Sequence, residues 1–423
     1  MSETSDLGVQ AAADAIADRL ASPADVRGLE LIQGWFPQSL AYGAAGVALL
    51  HVERARSGIA SWKRAHDWLA CAAEAPAVGG VDGHLYYGAP ALAFALNAAA
   101  ADRPERYARA LDTLDRHIEN MTRHRLERAH LRMDRGQLPA LAEFDTIRGL
   151  SGLGALLLRR EGQVDTTRAI LSYLVRLTEP IESSGELLPG WWCDLAPSGK
   201  PSPEFPQGHA NTGVAHGIGG PLALLSIAAR RGVTVDGQAE AISRICAWLD
   251  RWRQDGPAGP WWPYWITREQ LRSGDAGNGP SRPSWCYGTA GIARALQLAG
   301  IATGDTERQQ MAESAMAHAM TDPEQLQAIG DHSICHGFAG LAHITRSMAA
   351  DAINLVLAEH LPRLLAPITH VESDALATSL LRPPNGPGDI GLLEGAAGVA
   401  LALHATQTGT PPISGWDTCF LMN

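Results

Sequence analysis

A short glycine motif followed by small and aliphatic residues recurs along the chain. A degenerate copy, Gly88-Ala-Pro-Ala91, has alanine in place of the second glycine. The complete G-x-x-G copies are Gly43–Gly46, Gly149–Gly152, Gly217–Gly220, Gly288–Gly291, Gly337–Gly340 and Gly395–Gly398. The residues after each copy are apolar on nearly every side of a helix, which is typical of buried helices. The pattern therefore predicts seven buried helices.

Segments with a single apolar stripe lie between the motifs. Similar segments fall near 165–179, 306–320 and 351–365. Two clear cases of helical spacing are Tyr107, Leu111, Leu114 and Ile118, and Ile242, Ile245, Leu249 and Trp252. Half-buried helices that alternate with buried ones predict an all-α fold, an α/α toroid with a double ring of seven inner and seven outer helices. The N-termini of the inner helices would gather at one end of the ring.

Two stretches near 185–211 and 254–284 break the alternation, because both are rich in Pro, Gly and Trp. We expect these extensions to form long loops with short strands. Two interpretations stay open for them, a structural lid packed by tryptophans and a rim that contacts substrate. No linker composition interrupts the chain elsewhere, so we expect residues 1–423 to form a single domain.

Composition narrows the class of protein. A formal net charge of −11 disfavours nucleic acid as a partner, since a basic footprint is expected there. Six cysteines in 423 residues are too sparse for a disulfide framework, which indicates a reducing cytoplasm. The first 22 residues lack the regions of a signal peptide, and no apolar run is long enough to insert into a membrane.

Soft metal ligands precede two of the glycine motifs. Cys286 lies two residues before one motif, and Cys335 with His336 lies directly before the next. Equivalent positions of a repeat can bring these side chains to one ion. Two thiols and an imidazole suit tetrahedral Zn²⁺, and three protein ligands leave the open position of a catalytic zinc. The alternative is that both cysteines are buried and inert.

Three motifs, which in chain order are A-H-G at 215–217, W-C-Y-G at 285–288 and C-H-G at 335–337, resemble those of the lanthionine synthetase C-like family. The resemblance includes the glycine motifs and covers residues 43–417. Within the family, the chain resembles the free-standing class I lanthipeptide cyclases. It implies an α/α toroid with a catalytic zinc. The implied reaction adds cysteine thiols of a precursor peptide to dehydroalanine or dehydrobutyrine, which closes (methyl)lanthionine rings. A dehydratase and a transporter are the further partners that the resemblance suggests.

Four further residues are candidates for the chemistry. Conjugate addition generates an enolate, which needs stabilisation and a proton, and we predict His216 as the general acid/base. By resemblance, Asp145 matches an active-site aspartate that orients His216 or Arg282. Arg282 matches the family's R-x-x-x-C arrangement and could hold the enolate oxygen, while Tyr287 could bond the species at the zinc. Structural alternatives stay open for all four. His216 could cap a loop and Asp145 could be a helix N-cap. Arg282 could be a solvated loop arginine, and Tyr287 could pack in the core.

Other functional classes compete with a cyclase. A prenyltransferase-like enzyme also activates a peptide thiol with zinc, but it typically has a carboxylate among the ligands. A glycan-active barrel would need two carboxylates across a cleft, and no persuasive pair is present. A non-catalytic peptide-binding or glutathione-binding relative that retains zinc is the third alternative. Metal analysis and turnover of a dehydrated peptide separate these classes.

Overall fold

The computed structural model describes residues 3–160, 162–277, 279–353, 356–383 and 386–423, so Asn278 of the second extension lies outside the described residues. Helices dominate the described chain. In chain order they are α1 Glu3–Arg19, α2 Ala44–Arg56, α3 Trp62–Ala72, α4 Ala89–Ala100, α5 Ala108–Asp134, α6 Leu141–Phe144, α7 Leu150–Leu157, α8 Val164–Leu177, α9 Gly219–Arg230, α10 Gln238–Trp252, α11 Arg268–Ser273, α12 Thr289–Thr303, α13 Thr306–Ala319, α14 Pro323–Gln327, α15 Phe338–Asp351, α16 Val356–Glu359, α17 Leu361–Thr369, α18 Ser373–Leu381 and α19 Ala396–Thr408.

Every glycine motif of the sequence opens a helix that is almost wholly buried. These helices are α2, α4, α7, α9, α12, α15 and α19. In five of the six complete copies the second glycine packs against the carbonyl oxygen six residues before it. A Cβ at Gly340 would lie 1.9 Å from the oxygen of Ile334, and a Cβ at Gly291 would lie 2.3 Å from that of Trp285. Glycine therefore recurs at this position because it lets the helix start this close to its own preceding turn, and Ala91 of α4 is the exception.

The amphipathic segments form helices that bury one stripe. In α10 the residues Ile242, Ile245, Leu249 and Trp252 are all buried, as predicted. Tyr107 lies just before α5 in a left-handed conformation, with φ of 63°. The segment near 351–365 differs from the prediction, because α15 ends at Asp351 and the short α16 and α17 follow separately. Pro362 lies in the first turn of α17, where proline favours a helix start, so α17 begins separately from α16.

The chain forms two compact units. One comprises Met1–Ile118, Ile329–Ala350 and Leu355–Asp417, and the other comprises Glu119–Ala328, Asp351–Asn354 and Thr418–Asn423. In the first unit, α2 packs against α3, α4 and α19, and α1 packs against α17, α18 and α19. In the second unit, α9 packs against α7, α10 and α12, and α13 packs against α12. The expectation of a single domain stays a prediction.

Short strands occupy both extensions, as the sequence predicts. In chain order they are β1 Ile181–Ser183, β2 Glu186–Leu188, β3 His209–Asn211, β4 Gln254–Gly256, β5 Gly259–Trp261 and β6 Trp265–Thr267. Two antiparallel hairpins, β1–β2 and β4–β5, are local. The antiparallel pair β3–β6 joins the two extensions, with Asn211 opposite Trp265. This pairing matters for the site because β3 leads directly into the turn that carries His216.

The helices carry no membrane-spanning segment within the described residues. None of them combines the length and the apolar composition that crossing a bilayer requires.

Candidate metal and proton-transfer site

The turn before α12 holds Cys286. The hydroxyl of Ser284 donates to the carbonyl of Tyr287 over 2.6 Å, and its oxygen lies 3.6 Å from the Cys286 sulfur. The main-chain N–H of Ala215 donates to the carbonyl of Cys286 over 3.4 Å. Gly288 has φ of +95°, a left-handed conformation that favours glycine, so it lets the chain reverse into α12.

The turn before α15 holds Cys335 and His336. Leu393 accepts a hydrogen bond from the Cys335 N–H over 2.9 Å, which ties this turn to the one before α19. The imidazole Nε2 of His336 lies 3.0 Å from Oδ2 of Asp331. Burial alone would raise the pKa of Asp331, but its bond to His336 and the charge of that ring lower it to about 2. The ring of His336 is therefore oriented by a carboxylate, with Nδ1 as its remaining nitrogen.

Cys286, Cys335 and His336 are close enough to hold one metal ion. Each offers one ligand atom, and these atoms lie within 4.8 Å of one another. Both cysteines are only 6% exposed, so their thiols are shielded from bulk water. A carboxylate that orients a histidine ligand is a recurrent feature of metal sites in proteins. The donor set and its surroundings fit a metal ion of the kind that thiolates and imidazole prefer.

His216 and Asp145 form a hydrogen-bonded pair beside the Cys286 turn. His216 Nδ1 lies 2.7 Å from Asp145 Oδ2, and the imidazole side chain is 36% exposed whereas Asp145 is 1% exposed. Burial lowers the pKa of His216, but the hydrogen bond and the negative charge of Asp145, with a contribution from Cys286, raise it above its ordinary value overall. The pair therefore has the geometry of a histidine held by a buried carboxylate, with Nε2 left to exchange a proton.

Asp145 also stabilises the turn before α7. Its Oδ1 accepts hydrogen bonds from the N–H groups of Arg148 and Gly149 over 2.6 and 2.8 Å. Asp145 therefore makes the contacts of both interpretations that the sequence leaves open. It bonds the ring of His216, and it also caps the turn near the start of α7. Its two carboxylate oxygens serve the two purposes separately.

Tyr287 lies within an aromatic group on the same unit. Its ring centroid is 6.4 Å from that of His216 and 5.1 Å from that of Tyr264. The side-chain amide of Asn211 donates to the Tyr287 hydroxyl oxygen over 3.3 Å. Position 213 must be glycine, because a Cβ there would lie 2.4 Å from the Cys286 carbonyl oxygen and 2.8 Å from the Tyr287 ring.

Arg282 lies four residues before Cys286, and its main-chain carbonyl accepts a hydrogen bond from the Tyr264 hydroxyl over 3.2 Å. Its Nε is buried and has no hydrogen-bond partner among the described residues. The positive charge of Arg282 opposes the effect of burial on the phenol of Tyr264, whose pKa is nevertheless raised. A buried guanidinium nitrogen without a partner suits a site that receives an anionic group, while the role of Arg282 stays a prediction.

Three acidic or phenolic groups not singled out from the sequence, Tyr42, Asp389 and Glu394, interact electrostatically in the unit that holds Cys335. Burial, the charges of Glu394 and Asp389, and that of Cys335 raise the pKa of Tyr42 to about 12. Burial raises the pKa of Asp389 to about 6, with Glu394 adding to the effect.

Asp331 and Asn211 are two further residues that the sequence analysis did not single out. Their sequence signal is a constant offset, since each lies six residues before the first glycine of its motif.

Comparisons with known proteins agree with this architecture. A family model described as lanthionine synthetase C-like protein matches residues 34–421. The nisin biosynthesis protein NisC of Lactococcus lactis subsp. lactis is 28% identical over 266 residues, which is 62% of this chain. That match spans 61% of the relative's length, less than two thirds of it. The solved structure of a nisin cyclase superposes with a TM-score of 0.76 at 22% identity, covering 91% of this chain and 92% of the other. This likeness confirms the predicted all-α fold, the α/α toroid.

Proposed function

Because the chain belongs to the lanthionine synthetase C-like family, we propose that it is a lanthipeptide cyclase. In this reaction a cysteine thiol of a precursor peptide adds to the β-carbon of dehydroalanine or dehydrobutyrine. One C–S bond and one C–H bond form, the S–H bond and the π bond of the C=C group are lost, and a thioether ring closes. The observation that carries the proposal is the group of two buried thiols and one imidazole with the His216–Asp145 pair in the adjoining turn.

We propose Zn²⁺ as the metal that Cys286, Cys335 and His336 hold. Two thiolates and an imidazole are typical zinc ligands, and three protein ligands leave one position for a substrate atom. When bound, zinc lowers the pKa of a coordinating thiol, so that the nucleophilic thiolate forms at neutral pH. Asp331 orients His336 for this task through the 3.0 Å contact with Nε2.

His216 is the group that we propose for proton transfer. Asp145 holds the Nδ1–H, which leaves Nε2 as the nitrogen that gives or takes a proton. The raised pKa of His216 favours the imidazolium form, a competent acid for protonating the α-carbon of the enolate. Arg282 and Tyr287 are proposed to stabilise the enolate oxygen, supported by the partnerless Nε of Arg282 and by the position of Tyr287 next to Cys286.

The reaction also constrains the partners and the compartment. The substrate must already contain dehydrated residues, so a dehydratase has to act first, and a transporter would export the product. Free thiols must survive in the substrate, which requires a reducing compartment such as the cytoplasm. The structure describes all six cysteines of the chain, and none of them forms a disulfide.

A test of the proposed function follows the thiols of a dehydrated peptide. The zinc-loaded protein is incubated with a dehydrated lanthipeptide precursor, and iodoacetamide then labels the cysteines that remain for mass spectrometry. We expect the wild type to abolish labelling without a change in peptide mass. Cys335→Ala should lose zinc and turnover, whereas His216→Ala should keep zinc and lose turnover by about 10²-fold or more.

A matched control is Cys246→Ala, which removes another buried thiol from α10, outside the candidate site. It should keep both zinc and turnover. Full activity of a zinc-free Cys335→Ala protein would contradict the proposal. Zinc binding without turnover on any dehydrated peptide would favour the non-catalytic peptide-binding or glutathione-binding alternative, and transfer of a prenyl group would favour the prenyltransferase-like one.

A further inference from the structure

Among the complete G-x-x-G copies, three turns place an Asn or Asp side chain at the same position, six residues before the first glycine. In each turn, one side-chain oxygen accepts a hydrogen bond from the main-chain N–H two residues later. The pairs are Asn211 with Gly213 at 3.0 Å, Asp331 with Ser333 at 2.7 Å and Asp389 with Gly391 at 2.7 Å. Because one atom of each side chain is held by the backbone, the direction of the other atom is fixed.

The second side-chain atom has a different partner in each turn. Oδ2 of Asp331 bonds the ring of His336, the residue directly before the glycine. Nδ2 of Asn211 bonds the hydroxyl of Tyr287, which is the residue directly before the glycine of the next motif. Oδ2 of Asp389 is buried and has no hydrogen-bond partner among the described residues. Two of the three side chains therefore orient a residue of the candidate site.

The orientation of the Asn211 amide is determined by its contacts. The N–H of Gly213 can only donate, so the atom facing it is the amide oxygen, and the NH₂ group faces Tyr287. Asn211 is 0% exposed and ends β3, whose pairing with β6 fixes its backbone. Its main-chain carbonyl also accepts a hydrogen bond from the N–H of Ile218 over 2.9 Å, two residues beyond His216. Asn211 is therefore held through both its side chain and its backbone.

We propose that Asn211 is a positioning residue for Tyr287. An amide nitrogen cannot accept a hydrogen bond, so the phenol oxygen accepts from Asn211 and the phenol hydrogen must donate in another direction. The inference rests on the proposed function, in which Tyr287 donates a hydrogen bond to the enolate oxygen. Asn211 thus sets the donor direction of Tyr287, as Asp331 sets the ring of His336.

The decisive substitution is Asn211→Asp, which keeps the size of the side chain and the oxygen that accepts from Gly213. It replaces the NH₂ donor by a carboxylate oxygen, which would accept the phenol hydrogen and turn it away from the substrate. We expect kcat for ring formation to fall by about tenfold or more with KM and zinc content unchanged. In a Tyr287→Phe background, Asn211→Asp should have no further effect on kcat, because the hydroxyl through which it acts is absent.

The matched control is Gln238→Glu on α10. Gln238 is also buried, its amide oxygen accepts from Val235 and its amide nitrogen donates to the carbonyl of Leu225. The same exchange of amide for carboxylate there should lower thermal stability and leave kcat unchanged. If both variants lose kcat equally, or if Asn211→Asp acts equally strongly without the Tyr287 hydroxyl, the inference is wrong.

A second readout does not depend on turnover. With 3-fluorotyrosine in place of the seven tyrosines, the ¹⁹F resonance of Tyr287 is assigned by its loss in Tyr287→Phe. Asn211→Asp should shift that resonance, whereas Gln238→Glu should not, and an unchanged resonance would overturn the inference. Failure of the proposed function would appear differently, as absence of ring formation by the wild type itself.

Discussion

At the scale of single residues, one position of the repeat holds three residues of the candidate site, His216, Tyr287 and His336. The residue before the first glycine of each motif is polar and at least partly exposed, although the glycine after it is buried. The seven residues are Tyr42, Tyr87, Arg148, His216, Tyr287, His336 and Glu394. The repeated turn thus presents one polar side chain beside each buried helix, and the chemistry depends on which residue type occupies that place.

The pair of His216 and Asp145 leads to a prediction about pH. Replacing Asp145 by Asn keeps the oxygen that accepts from Arg148 and Gly149 but removes the negative charge that raises the pKa of His216. We expect NMR titration to show a lower pKa for His216, and turnover to fall by roughly 10²-fold. Because His216 is the proposed acid, the alkaline limb of the pH–rate profile should move to lower pH.

The same substitution changes stability in a defined pH range. A histidine whose pKa is raised on folding stabilises the native state fully below its unfolded pKa, and this contribution is lost as pH rises through the folded pKa. Asp145→Asn should therefore destabilise the protein more at pH 5 than at pH 9. A matched control is Asp417→Asn, which alters another buried His–Asp pair, His343 with Asp417 at 3.1 Å. An unchanged pH–rate profile in Asp145→Asn would contradict the role of His216.

At the scale of elements, the G-x-x-G motif couples helix packing to the placement of the ligands. The second glycine of the motif before α15 is Gly340, and it lies against the carbonyl of Ile334, the residue preceding Cys335. This close approach fixes the turn that carries Cys335 and His336. The structure shows the specific partner of this glycine, which is the carbonyl six residues earlier.

Gly340→Ala tests this coupling. The added Cβ would lie 1.9 Å from the Ile334 oxygen, so the turn must move. We expect a loss of about 1–3 kcal/mol of stability, as for other overpacked sites, together with a reduced zinc content. The control is Gly8→Ala within α1, where the nearest atom would be 3.8 Å away and alanine should stabilise the helix. Wild-type zinc affinity in Gly340→Ala, measured by competition with a chelator, would contradict the coupling.

At the scale of the whole molecule, the sequence predicted the regular features and missed those that depend on long-range contacts. The seven buried helices follow from apolar composition and the glycine motifs, and the three candidate metal ligands follow from the residue types before two of those motifs. Asp331 and Asn211 were missed because a polar residue in a turn gives no local indication of which ring it bonds. The pairing of β3 with β6 could not be derived either, since strands of three residues carry too little pattern.

The metal is also expected to stabilise the molecule as a whole. A ligand that binds only the folded state adds stability of RT ln(1 + [L]/Kd), about 4 kcal/mol at a thousandfold excess over Kd. Removing zinc with a chelator should therefore lower the thermal midpoint, and adding zinc back should restore it.

Cys335→Ala should show a midpoint near that of the zinc-free wild type and no response to chelation, because it lacks one of the two thiolates. Cys246→Ala should respond to chelation as the wild type does. Equal thermal midpoints for the wild type with and without zinc would show that metal binding is not linked to folding through these residues.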